Sequence, residues 1–187
     1  MSKDHSHTVA RAMNDVGLAA WFGGSLMGAV GLNGAASQAT NPAERTKVAN
    51  AGWARWTPVN LGAIGAFTLG GLRLLQANKG RVAGQSGVGS AAALKAALAA
   101  GAAAATAYSR LLGQKMMDAG AVPAEGITEP SSATPEAVAK AQRQQKVLQW
   151  AIPALTGAAL VVDARLGEQQ RPSEVTRGVL ARLNPAA

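Results

Sequence analysis

Cysteine is absent from this chain, histidine occurs twice, and aromatic residues make up only 4% of its 187 positions. Without cysteine there can be no disulfide, no thiolate metal ligand and no thiol nucleophile. His5 and His7 both lie in a polar leader, where neither serves a Gly-x-Ser-x-Gly nucleophile elbow. Two histidines also fall short of the three or four ligands that a metal centre requires. The shortage of rings removes the usual means of filling a soluble core of this length. Carboxylates are scarce too: 10 Asp and Glu stand against 18 Lys and Arg, a formal charge of +8. Such a surplus points to nucleic acid where the bases form a stripe between aromatic platforms. Here they stand at the edges of apolar runs, so no nucleic-acid partner is expected.

The glycine-rich pieces GGSLMG and GQSGVGS lack the preceding strand and the Lys-Ser or Lys-Thr pair of a phosphate-binding loop. No Gly-x-Ser-x-Gly elbow has a histidine to serve it. The inventory therefore predicts no catalytic residue, no cofactor and no metal, and a protein that is not an enzyme.

What the chain has instead is uncharged length. From Val16 to Ala43, 28 residues pass without an ionisable side chain, enough for a helix to cross the hydrocarbon core of a bilayer, which takes roughly 20. The overall mean hydropathy of +0.07 conceals this, because polar tails dilute four apolar segments. These predict an all-α, polytopic membrane protein: a four-transmembrane-helix bundle with spans at 16–36, 57–76, 90–112 and 147–166. Around them the sequence divides into a polar leader (1–8), the membrane domain (9–168) and a basic amphipathic tail (169–187). Short amphipathic helices are expected in an outer loop and in the C-tail. The first apolar run exceeds the 7–15 residues of a signal-peptide core and reads as an uncleaved anchor.

Local signals set the expected boundaries. Thr8 and Ser90 are candidate N-caps for the first and third helices, Ser173 for the tail helix, and Thr134 for the fourth, with Pro135 following at its first position. Pro58 is expected to begin the second helix. Residues 76–89, rich in Gly and polar groups, read as loop, and 113–134, with its Pro, Ser and Glu, as an exposed loop. The third span is the weakest transmembrane signal, since alanine contributes little transfer energy and Lys95 sits inside it, and a buried core helix of a soluble protein would look similar; a lysine there must reach back to the headgroups or face a neighbouring helix. Pro153 is expected to kink the fourth helix or to mark where a separate membrane segment begins.

Three small-residue stripes occur at intervals of four: Ala20, Gly24, Gly28; Gly62, Ala66, Gly70; and Ala97, Gly101, Ala105. In lipid, where hydrophobic exclusion does little between helices, such stripes let backbones approach; they serve either internal packing or the docking of a partner. Asp15, Arg73, Asp163 and Arg165 are expected to meet as a charge cluster at the inner ends of the helices, and Asn33 and Lys95 to line a cavity. With an even number of spans both termini share a side. The basic tail, suited to an anionic leaflet, predicts that side to be cytoplasmic, in a plasma or inner membrane. Trp53, Trp56, Tyr108 and Trp150 then form a belt at the outer boundary, with Trp21 nearer the inner one. The expected role is a non-enzymatic accessory or scaffold subunit of a larger membrane assembly, contacting lipids and other membrane proteins or further copies of itself. The alternative is a small transport bundle, or one that binds lipids or small molecules.

Overall fold

The computed structural model describes residues 3–183. Met1, Ser2 and the last four residues of the basic tail lie outside them, as does the side chain of His5. The described chain is helical: α1 (Lys3–Met27), a π-helical turn (Gly28–Leu32), α2 (Asn33–Ser37), α3 (Pro42–Ala77), α4 (Lys79–Gly84), α5 (Val88–Asp118), α6 (Glu136–Glu168) and α7 (Pro172–Leu183). Four stretches are long and apolar enough to cross a membrane: His7–Ser37, Pro42–Ala77, Val88–Asp118 and Glu136–Glu168. At 1.5 Å per residue, helices of 31 to 36 residues measure about 46–54 Å, longer than the ~30 Å hydrocarbon core. Their charged ends therefore reach into the headgroup layers.

The outward surface agrees with that setting. Val16, Leu61, Leu111, Val147 and Val161 are each more than 60% exposed, while Asn14, Gln142 and Thr156 are fully buried. A water-soluble bundle would invert this distribution. The chain is a multi-pass membrane protein with an all-α, four-helix bundle.

Several elements extend beyond their sequence signals. α3 starts at Pro42, where the Asn41 side chain accepts a hydrogen bond from the Ala43 amide, and it runs through Pro58 unbroken. The short amphipathic piece before the second span is thus the first turns of α3. By contrast 136–146 is continuous with the fourth span in α6, as the start signals at 134–136 imply, and the helix carries Pro153 in its interior. Thr8 lies within α1. Ser90 lies inside α5, whose cap is Gly87 at φ +78°, a backbone region open to glycine. Pro135 caps α6 in place of Thr134, whose hydroxyl donates to the Pro123 carbonyl instead. α7 opens at Pro172, one residue before Ser173, and the loop expected at 76–89 contains α4.

Helix α1 packs on both α3 and α6, and α5 packs on α6, whereas α3 and α5 barely touch. The order around the bundle is therefore α3–α1–α6–α5, with a groove between its two outer members. At one end the chain folds shut. The segment expected as an exposed loop places Val122, Ala124, Ile127 and Thr128 in the interior, where Val122 and Ile127 join Ala36, Leu112, Met116 and Val138 in a core. Proline and glutamate in that segment mark its solvent side; the alternating apolar residues between them face inward. The Gln142 amide binds it from below by donating to the Gly126 carbonyl.

Candidate functional site

The site begins with helical periodicity. On α1 the buried positions include Ala10, Asn14, Leu18, Trp21 and Ser25, spaced three and four apart on one face. Asn14 is thereby carried into the interior, with no exposed surface. On α6 the buried Thr156 and Ala159 lead, a turn further, to Asp163. On α5, Lys95 follows the buried Ala91 by four residues and precedes the buried Ala102 by seven. The three polar side chains converge.

Lys95 Nζ lies 2.6 Å from Asp163 Oδ1 and donates also to Asn14 Oδ1 at 3.0 Å. Asn14 Nδ2 donates to Asp163 Oδ2 at 2.7 Å and to Asp15 Oδ1 at 2.8 Å. The side chains of Lys95 and Asp163 are only 12% and 17% exposed. The ammonium also sits 5.3 Å from the centre of the Phe67 ring, within cation–π range. Two opposite charges and an amide thus close a three-helix polar network in the membrane domain, the compensation that charges at this depth require. Below it, the Trp21 indole donates to Thr106 Oγ at 3.2 Å and its ring meets Phe67 at 6.2 Å between centroids.

This network forms one wall of the groove between α3 and α5, a cavity of about 380 Å³. Ile64, Phe67 and Leu75 of α3 and Ala96, Ala99 and Ala103 of α5 line it. Its volume falls in the range of small-molecule sites, and its make-up, apolar walls with a few convergent polar groups, is theirs too. Arg11 and Arg81 stand at its headgroup end, with Asn78 and Gln170. Arg81 donates to Asn78 Oδ1, Gln85 Oε1 and the Gln169 carbonyl, and Arg11 to Gln170 Oε1. Burial, and secondarily the neighbouring charge of Arg11, lower the Arg81 pKa below the usual guanidinium value.

The expected inner cluster is only partly assembled. Asp163 pairs with Lys95, and Asp15, on the exposed side of α1, joins through Asn14. Arg165 and Arg73 do not take part: both are exposed. Each residue turns a helix by about 100°, so Arg165, two positions after Asp163, points the other way, and Arg73 is rotated off the face that carries Phe67 and Gly70. Lys95 lines the cavity. Asn33 does not; it lies at the other end, donating to Gln149 Oε1 and accepting from the Trp53 indole. The π-helical turn takes up an extra residue there and keeps Ala29, Asn33 and Ala36 on the buried face.

The small-residue stripes divide in the same way. Gly24 and Gly28 seat the rings of Trp56 and Trp53, and Gly70 lies against the backbone of Ala10 and Asn14. Ala20, Ala66 and Ala105 are half-buried, while Gly62 and Ala97 are exposed and Gly101 touches only the end of Leu155. Gly17, outside the expected stripes, makes the other close backbone contact, with Ala63 and Phe67. Asn14, Arg11, Arg81 and Phe67 were not among the residues singled out in the sequence. For Asn14 the signal was available: it shares the helical face of Leu18 and Trp21, whereas the more conspicuous Asp15 does not. Comparison with protein-family models, with curated proteins and with solved structures finds no match to this chain.

Proposed function

We propose that this protein is a non-enzymatic membrane bundle that binds an amphiphilic small molecule or lipid in the α3–α5 groove. The observation that carries this reading is the cavity itself: apolar walls open between two unpaired helices and end on a closed Lys95–Asp163–Asn14 network. With both charges engaged, the network serves as a fixed polar wall rather than as a reacting group. A volume of about 380 Å³ suits a tail or small molecule, and is far too small for a whole helix of 10–12 Å diameter. The test is native mass spectrometry of the full chain in mild detergent. Replacing Ala103 by Trp should fill the groove and abolish retention of added lipid without lowering the melting temperature. Undiminished retention by a stable Ala103→Trp protein would refute the reading.

A second reading, an accessory or scaffold subunit of a larger assembly, is favoured by the exposed small residues Gly62, Ala97 and Gly101 on the outer helices. It predicts co-purifying membrane proteins, or a homo-oligomer, after gentle extraction; migration solely as a lone monomer would count against it. For either reading we place the protein in the plasma or inner membrane with both termini cytoplasmic. The reasons are the basic rim and the exposed Val179, Leu180 and Leu183 of α7, suited to an anionic membrane surface. Because the chain has no cysteine, single cysteines placed in α7 and at Ser132 give a clean labelling test. Labelling of α7 from outside intact cells would overturn the orientation.

A further inference from the structure

The headgroup end of the groove carries an unbalanced charge. Asp163 is the one carboxylate among the described residues of the groove wall, and it is committed to Lys95. Arg11 and Arg81 line the same cavity and form no ion pair among the described residues. Each guanidinium has five N–H donors. Arg81 spends three on Asn78, Gln85 and Gln169, and Arg11 one on Gln170, so both retain donors. The partners that hold them are neutral amides and a carbonyl, which fix the side chains without neutralising them. Two like charges held together at the mouth of an apolar slot require a counter-charge.

We infer that the groove takes an amphiphile with an anionic headgroup, a phosphate or carboxylate clamped by Arg11 and Arg81, whose hydrocarbon tail runs between α3 and α5. The inference rests on the groove-binding reading above and adds to it the sign of the ligand and the residues that read it. Guanidinium forks match the planar and trigonal faces of such oxyanions and bind them through charge-assisted hydrogen bonds. Below the arginines, the slot extends past Ala92 to Ala103 on α5, eleven residues or about 16 Å of helix, walled by Ile64, Leu72 and Leu75. That length and lining suit a tail and leave a free inorganic anion with nothing to occupy the slot. Among oxyanion sources we therefore commit to a membrane lipid.

The test uses the full chain in mild detergent and two phospholipids of identical tails, phosphatidylglycerol and phosphatidylcholine, with bound lipid counted by native mass spectrometry. Phosphatidylglycerol should bind about tenfold or more tighter, as expected for loss of one charge-assisted contact. The double variant Arg11→Gln/Arg81→Gln should lose that preference while keeping its weaker hold on phosphatidylcholine, which also reports that the variant is folded. Equal affinity of the native chain for the two lipids would overturn the inference and leave the groove reading standing. Failure of the native chain to retain either lipid would remove both. Displacement of phosphatidylglycerol by inorganic phosphate at matching concentration would also overturn it, because the site would then be reading a free anion.

Discussion

The two ends of this bundle bury polar groups by opposite means. At the loop-capped end, uncharged side chains bond one another and the backbone under a folded-back segment: Asn33 with Trp53 and Gln149, and the Gln142 amide nitrogen with the Gly126 carbonyl. Apolar Ile127 and Val138 seal them in. At the other end a full ion pair, Lys95–Asp163, faces an open groove with two arginines at its rim. The capped end holds its helices without a buried ion pair: Arg143–Glu136 and Lys146–Glu129 are exposed, and the cavity of about 460 Å³ beside Gly28 and Trp53 is lined by no buried charge. The charged end therefore carries the case for binding.

That contrast can be broken in graded ways. The largest effect is expected from Asp163→Leu, which strands the Lys95 ammonium inside the bundle; loss of one partner of a buried pair costs about 3–5 kcal/mol. The double variant Lys95→Met/Asp163→Leu should recover most of that loss in detergent melting. Equal damage from the single and double variants would mean that the pair is not coupled. Next comes Ile127→Ala at the capped end. Truncating a core isoleucine costs about 2–5 kcal/mol, and the loss should show as faster hydrogen exchange across 120–135 with the groove helices unchanged. Loosening of both ends together would erase the distinction between them.

A smaller effect tests the seam that joins the ends. At Gly70 a methyl group would meet the backbone of Ala10 and Asn14, whereas Gly62 faces open space. Gly70→Ala should destabilise by about 1–3 kcal/mol, as overpacking does, and Gly62→Ala should be silent in the same melting assay; matching melting temperatures would place the α1–α3 seam elsewhere. Smallest of all is Thr106→Val, which removes the acceptor of the Trp21 indole for about 1 kcal/mol. Its readout is a shift in Trp21 fluorescence, and an unaltered spectrum would argue against that hydrogen bond.

Much of this was legible in the residues, and the part that was not has a common cause. Four apolar segments are a one-dimensional property, set by hydropathy against bilayer thickness, so the spans and the fold class could be read directly. Lys95, a lysine within a span, must find a partner, and it meets Asp163 and Asn14. Which partner was not legible. Arg165 is close to Asp163 in sequence, yet Lys95 is the residue that reaches it, since two residues of helix reverse the direction of a side chain. The segment at 113–134 was misjudged for a related reason: proline and acidic residues outweigh Val122 and Ile127 in composition, although the latter decide where the backbone folds.

By itself, then, the sequence determined the medium and the number of membrane spans, and through the absence of cysteine and of usable histidine it narrowed the available chemistry. Tertiary structure decided the rest. It brought Asn14, Lys95 and Asp163 together from three helices and kept α3 and α5 apart. It also left Arg11 and Arg81 at the mouth of the resulting groove. The physical reason is that hydropathy acts on each helix alone, whereas a counter-charge, a cavity and a close backbone contact are properties of pairs.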